Sequence, residues 1–406
     1  MGHVGIIGGG VVGLSAALAL LKAGHRVTLL DNDPGAAAPS WGNAGHIAVE
    51  QVAPLASMEQ VRSVPGRLFA AGGPLALPPR EIATWLPFTT RLLGASGAKR
   101  FAAGRTALSR LLAEALGAWR AQVEEIGAPD LLREGGHLVT WLDERAAREG
   151  ARDLAAADTG TARAAPASSA DLARLSALGA AHPAGAMRFT GTAQITDLNE
   201  LRKALLAAFA ERGGTRIEGE GRLVREGRRI SIAGVECDQV VVCAGVRSGA
   251  LLAPVGHKVP IIAERGYHVR ADAQHWPEDL PPVVYEERAM IVTRYRSCVQ
   301  AASFVEFARA DAPADPRKWA RLERHIAELG LPITGPFQRW MGARPTLPDY
   351  LPAIGRSQLA DNLYYAFGHQ HLGLTLAAVT GRLVTEMLDG RRTSLPLAPF
   401  DLSRFA

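Results

Sequence analysis

Six consecutive residues near the N-terminus have the types and spacing of a phosphate cradle. Gly8-Gly9-Gly10-Val11-Val12-Gly13 reads GxGxxG between an apolar run, Val4 to Ile7, and a helix-forming stretch, Leu14 to Ala23. Gly8 would make the turn, Gly10 would let a pyrophosphate reach the backbone beside Val12, and Gly13 would let helix and strand pack closely. The anion then meets the free N–H groups and the positive dipole end of the helix. Asp31 follows Gly13 by 18 residues and closes a second apolar run that starts at Arg26. A carboxylate there accepts hydrogen bonds from a ribose hydroxyl. Asp rather than Arg at that place argues against a 2′-phosphate, and so against NADP. The motif alone does not separate NAD from FAD.

Three further segments do. Ser40-Trp41-Gly42-Asn43-Ala44-Gly45-His46 is a small-residue loop suited to close passage along phosphates and a ring. Val241 to Ser248 is an apolar strand running into Ala244-Gly245. Gly368-His369-Gln370-His371-Leu372-Gly373-Leu374-Thr375 is a glycine loop entering a C-terminal helix. Taken in order with Arg265-Gly266-Tyr267 and Gly342 to Asp349, these segments resemble the D-amino acid oxidase superfamily from end to end. The nearest branch is that of the bacterial D-amino acid dehydrogenases. The resemblance implies FAD held by a discontinuous domain and roofed by an antiparallel sheet. It assigns Gly8, Gly10, Val12, Gly13, Asp31, Gly42, Asn43, Ala44, Gly45, Ala244, Gly245, Gly368, Gln370 and Leu372 to the cofactor. Leu223 would lie against adenine through its backbone, and Gly373-Leu374-Thr375 would meet the pyrimidine side of the flavin. Some relatives tether flavin through a cysteine near the Arg344 segment. This chain has Gly342-Ala343 there, so noncovalent FAD is expected, with a tether at His46 as the alternative.

The same resemblance sets Arg344 above the flavin as the anchor of a substrate carboxylate. The planar fork of Arg pairs bidentately with a carboxylate, which Lys cannot reproduce. Tyr267 and Tyr285 are candidates to cap that carboxylate, against the alternative of packed sheet aromatics. Arg294 is either a second carboxylate contact or one half of a structural ion pair. His46, and Gln51 where relatives carry a lid residue, are expected to shape the pocket rather than transfer protons. His369 and His371 are expected to position the flavin side, because a neutral amine can lose hydride to flavin without an enzymic base. The activity implied is oxidation of a D-amino or imino acid to an imino acid, and thence to a 2-keto acid. Its partners are that small substrate and an electron acceptor: a quinone, another carrier or oxygen. The loop Gly45 to Val52 hints at cyclic substrates such as cis-4-hydroxy-D-proline, and sarcosine or glycine is the nearest rival. A flavin hydroxylase needing NAD(P)H and a noncatalytic FAD-binding subunit are the more distant ones.

Two kinds of element must hold these residues. Val4 to Ile7, the helix closed by Gly24, and Arg26 to Leu30 form a βαβ unit whose consecutive apolar residues fit a buried parallel sheet. Gln239 to Cys243, Leu363 to Phe367 and helices over 197–212 and 375–388 extend it. Successive β-runs from Val259 to Phe304, with Leu138 to Leu142, suggest an antiparallel sheet in a second domain. The fold expected is α/β, with a discontinuous Rossmann-like FAD-binding domain (1–47, 194–254, 343–406) and an α+β substrate domain with a mainly antiparallel sheet (48–193, 255–342). Helical spacing runs from Leu108 to Ile126, the Pro- and Gly-bearing stretch Ser63 to Gly94 reads as irregular, and the Ala-rich 146–181 as surface helices and loops. A chain of 406 residues with 48% hydrophobic and 21% charged residues is long and apolar enough for two such cores. Lys+Arg 45 against Asp+Glu 40 leaves +5 without a basic stripe, which excludes nucleic acid as partner. Three cysteines without CxxC spacing support neither a metal site nor a disulfide framework. The chain starts on a strand and has no long uncharged apolar run. A cytoplasmic protein is expected, with at most a peripheral contact on the inner face of the cell membrane.

Overall fold

The computed structural model describes residues 1–33 and 37–405. Its N-terminal unit is the strand His3–Ile7, the helix Val11–Lys22 and the strand Arg26–Asp31. The strands pair in parallel with Ile6 opposite Leu29. They belong to a six-stranded sheet in the order Thr215–Glu218, Arg26–Asp31, His3–Ile7, Gln239–Val242, Leu363–Phe367, Ala353–Arg356. Every neighbouring pair is parallel except the last. Both faces are covered, which is why the apolar residues run on instead of alternating. Val4, Ile6, Val27, Leu29 and Val241 pack towards the helices Val11–Lys22 and Gly373–Leu388. Ile7, Leu30, Val240 and Val242 pack into a second cluster with the hairpin Leu223–Glu226/Arg229–Ile232. The two helices approach so closely that a Cβ on Gly381 would lie 2.6 Å from the Ser15 carbonyl oxygen.

The other large sheet has nine strands. Eight run in the order Gln338–Thr346, Ile262–Asp272, Cys298–Ala308, Met290–Arg294, Val283–Tyr285, His137–Trp141, Gly185–Thr190, Arg163–Pro166, and Leu75–Ala76 joins Cys298–Ala308. All pairings are antiparallel except those of Val283–Tyr285 with His137–Trp141 and of Leu75–Ala76. The strands of the six-stranded sheet fall within 1–47, 194–254 and 343–406. The nine-stranded sheet uses 48–193 and 255–342, except that Gln338–Thr346 runs across 342/343. Among the described residues no helix is long and apolar enough to cross a membrane.

Two local expectations need correction. The stretch Ser63 to Gly94 is not irregular: helices span Met58–Arg67 and Ile82–Ala95, with Pro65 and Pro87 inside them. Ser57 caps the first by accepting from Gln60 N, and Phe88 and Leu92 bury the second, with Phe88 against Phe307. Cap and packing outweigh the lost proline donors. The helical pattern over 108–126 is two helices, Ala98–Ala113 and Ala115–Glu125. Arg344 lies on a strand, Gln338–Thr346, that its Gly, Pro and Arg content conceals.

Two glycines test this packing in opposite directions. A Cβ on Gly13 would sit 1.9 Å from the Gly8 carbonyl oxygen, whereas on Gly117, exposed in the helix Ala115–Glu125, it would meet nothing within 4 Å. Gly13→Ala should therefore destabilise by about 3 kcal/mol, and Gly117→Ala should stabilise by about 0.5–1 kcal/mol. Urea unfolding of both variants checks this; a harmless Gly13→Ala would mean that helix and turn do not pack as described.

Candidate active site

One cavity of about 1280 Å³ runs from the glycine turn to Arg344. That exceeds the roughly 300–1,000 Å³ of an ordinary small-molecule site, leaving room for a dinucleotide and a small substrate together. At its first end Gly8 has φ +110, and a Cβ there would lie 2.4 Å from the Cys243 carbonyl oxygen. A Cβ on Gly10 would meet, among the described residues, only the Ser40 hydroxyl, at 3.1 Å. The helix Val11–Lys22 has no acidic residue in its first turn, and Gly10 supplies no side-chain cap. Ser40 Oγ accepts from Val11 N at 3.1 Å, and the rest of the helix's positive end is left for an anion. The buried Asp31 accepts from Gly9 N at 3.3 Å and lies 3.6 Å from Arg216. These residues fit the phosphates and ribose of FAD.

The loop carrying Gly42, Asn43 and Ala44 is held from the roof. Tyr295 and Gln300 donate to the Asn43 carbonyl at 2.7 and 2.9 Å, and Arg270 donates to that of Trp41 at 3.0 Å. His268 meets the Gly42 carbonyl at 3.0 Å and stacks on Trp340. The Trp340 ring leaves no space for a Cβ on Gly42. None of these five roof residues stands out in the sequence, because each acts on a backbone carbonyl or ring far away along the chain.

Arg344 lies opposite Glu264 on the neighbouring strand. Its Nη1 donates to Glu264 Oε1 at 3.2 Å and to the Phe304 carbonyl at 3.3 Å. Nη2 and Nε make no hydrogen bond among the described residues, so the bidentate edge of the fork is available to a ligand. The guanidinium lies against Gly266, where a Cβ would be 2.2 Å from Nη2. Glu264 is buried and also accepts from Thr346 Oγ1 at 3.1 Å. Burial and Glu264 hold the Tyr350 hydroxyl far above the ordinary tyrosine value. Phe304 has φ +70, and the register shifts between Arg265 and Tyr267 in the same strand pair. Strain of this kind is retained where surrounding contacts over-determine the backbone.

Beyond Arg344 the lining includes His46, Glu50, Gln51, His369, Gln370 and His371. His371 bonds Gln51, and burial pushes its imidazole down to about 4, so it is neutral near pH 7. Gln370 has φ +46 and donates to the Tyr350 carbonyl. His46 Nε2 lies 3.0 Å from Glu50 Oε1, and the His46 and His137 rings meet edge to face. Burial opposes the ionised form of Glu50, but the charge and hydrogen bond of His46 outweigh it and its carboxyl falls below the usual value. His46, Glu50 and His137 bring ligand-type atoms within 4.8 Å of one another. Pattern reading singled out His46 but not Glu50 or His137, which the three-stranded pairing of His46–Ile47, Ala193–Ile195 and Leu132–Arg133 helps to gather.

Several expected residues are otherwise engaged or lie elsewhere. Tyr267 lines the cavity, but its buried hydroxyl donates to Glu306 at 3.0 Å, in a network with Arg265 and Lys318. Tyr285 is buried in the core of the nine-stranded sheet and does not line the cavity. Arg294 is also off it, donating to the carbonyls of Tyr295 and Arg296 and pairing with Glu278 at 3.4 Å, the ion-pair alternative expected for it. Leu223 packs in the core, and Gly219, Glu220 and Gly221 line the cavity near it instead. Gly8, Gly10, Val12, Ala244, Gly245, Gly373 and Leu374 do line it. Gly13, Gly45, Gly368, Leu372 and Thr375 lie behind the lining; Thr375 Oγ1 accepts from Ala48 N at 3.0 Å.

Comparison with known proteins gives a consistent result. The family model described as FAD dependent oxidoreductase matches residues 3–387. A D-amino-acid oxidase of Bradyrhizobium diazoefficiens is 32% identical over 437 residues, covering 99% of each chain. A D-amino acid dehydrogenase of Pseudomonas aeruginosa is 31% identical, covering 97% of this chain and 96% of that one. The crystal structure of glycine oxidase from Geobacillus kaustophilus matches with a TM-score of 0.76 at 20% identity, over 100% of this chain and 99% of the other, which shows the fold.

The neutral histidines predict acid sensitivity. Burial pushes His137, His268 and His369 each down to about 3 from 6.5. Between those values the unfolded chain binds protons that the folded one refuses, so stability falls as pH drops below about 6.5. Each histidine should contribute roughly 1.4 kcal/mol per pH unit in that window. His369→Gln, which can still bond Thr380, should flatten the slope of unfolding free energy by about that amount between pH 6 and 4. An unchanged slope would show that His369 is charged in the fold.

Proposed function

Because the chain belongs to the family of FAD dependent oxidoreductases, we propose that it oxidises a D-amino or imino acid whose carboxylate is held by Arg344. The observation that carries this reading is the open Nε–Nη2 edge of Arg344, fixed by Glu264 in the cavity that begins at Gly8. The names of the full-length relatives, D-amino-acid oxidase and D-amino acid dehydrogenase, support the substrate class. Bound FAD supplies the hydride acceptor. Everything else asked of the protein is orientation and electrostatics.

Gly8, Gly10 and the start of the helix Val11–Lys22 receive the pyrophosphate, and Asp31 the ribose. Gly42 to Ala44, Ala244-Gly245 and Gly373-Leu374 flank the remainder. FAD is held without a covalent link: among the described lining residues the sole cysteine is Cys243, whose thiol burial pushes up to about 12. The stretches 1–47, 194–254 and 343–406 form the cofactor-binding part. Arg344 clamps the carboxylate so that the α-hydrogen faces the cofactor, and the amine lies towards the part of the lining formed by His369 to His371. His371, neutral near pH 7, positions rather than accepts a proton. A primary imine leaving the site hydrolyses to a 2-keto acid and ammonia, and the electrons pass to an external acceptor.

Arg344→Ala should leave flavin content near normal while kcat/KM for a D-amino acid falls roughly thirtyfold or more, equivalent to about 2–5 kcal/mol. Arg344→Lys should recover part, since it restores the charge without the planar fork. The decarboxylated amine, which never uses the contact, should lose far less. Anaerobic flavin reduction with both substrates measures this, and equal losses for the two would remove Arg344 as the carboxylate anchor.

A further inference from the structure

Glu50 lines the same cavity as Arg344, yet its side chain is only 10% exposed. Oε1 is occupied by His46, while Oε2 is buried and meets no donor among the described residues. A buried carboxylate oxygen without a partner is strongly disfavoured, so a donor brought by a ligand is its natural complement. His371, in the same lining, feels the charges of Glu264, Arg344 and Glu50 together. The cavity thus brings a cation, Arg344 paired with Glu264, and a second anion near one neutral ring. A compound bearing a carboxylate and a nitrogen on the same carbon presents the complementary pattern.

Resting on the reading that this cavity oxidises an amino or imino acid, we propose that Glu50 is the subsite for the substrate nitrogen, accepting its N–H through Oε2. As the α-hydrogen leaves as hydride with the C–H electron pair, the nitrogen lone pair closes the C=N bond, and the neutral amine becomes an iminium cation. No proton passes to Glu50. Its carboxylate faces a positive charge that grows towards the transition state, where such an interaction accelerates the step most. His46 is a positioning residue, fixing the carboxylate through Oε1, and His137 backs it.

The test uses two unreactive ligands on the FAD-loaded enzyme: 2-aminoisobutyrate, which has no α-hydrogen, and isobutyrate, the same acid without nitrogen. Binding is followed by perturbation of the flavin spectrum. Wild type should prefer the aminated ligand, and Glu50→Gln should cut that preference at least about tenfold while leaving isobutyrate affinity equal or tighter. Glu50→Asp, which keeps the charge but withdraws it, should fall between and guards against a Gln variant that folds poorly. Survival of the preference in both variants, or equal weakening of both ligands, overturns the subsite. So does a stoichiometric metal in the purified protein that is lost with Glu50→Gln, since Glu50 would then be a metal ligand. Wild-type flavin that no amino acid reduces, with a Glu50-dependent preference intact, would sink the oxidation and leave the subsite standing.

Discussion

The Glu264 carboxylate is the contact on which the site depends. Buried between two strands, it holds Arg344 through Oε1 and Thr346 through Oε2, and it faces the hydroxyl of Tyr350. The Tyr350 carbonyl in turn takes the Gln370 amide, and Thr346 bridges to His369 just before the helix Gly373–Leu388. One acid thereby links the nine-stranded sheet to the loop that enters the C-terminal helix of the six-stranded sheet. A buried charge is tolerable only when paired and hydrogen-bonded, and this one is paired with the proposed carboxylate anchor. Removing it would strand the Arg344 cation and release the Gln370 loop together.

The electrostatics around that contact are economical. Arg344 and Glu50 are the charged groups proposed to meet the substrate, while the nearby imidazoles of His369 and His371 are kept neutral by burial. Neutral rings give shape and hydrogen bonds without competing for the carboxylate. The far end of the cavity offers backbone instead, a helix N-terminus and glycines such as Gly8 at φ +110. The roof residues Arg270, Tyr295 and Gln300 donate to carbonyls of the intervening loop and so tie it to the nine-stranded sheet.

Local signals were legible in the sequence and long-range ones were not. The GxGxxG turn, Asp31 and the strands His3–Ile7 and Arg26–Asp31 can be read because a single βαβ unit contains all their partners. Arg344 could be singled out by its setting, but not the strand that carries it, whose Gly342, Pro345 and charged residues lack an apolar period. Glu264 was invisible for a different reason: a lone Glu in a β-run has the pattern of a solvated residue, and only pairing with a strand 80 positions away buries it. For Tyr267 and Arg294 a ligand contact stood beside a packed aromatic and a structural ion pair, and residue type alone could not choose between them without the strand face. The bulge at Arg265/Tyr267 and the Glu306 network decide that face. Glu50 and His137 come together only once His46–Ile47 pairs with Ala193–Ile195.

The most direct measurement mixes the flavin-loaded protein anaerobically with a panel of D-amino acids, their L-enantiomers and cyclic imino acids, without NAD(P)H. Loss of the oxidised flavin spectrum with D-amino or imino acids, and one equivalent of imino or keto acid formed per flavin, is the result expected. Flavin that stays oxidised with every member of the panel but is reduced by NADH or NADPH would contradict it.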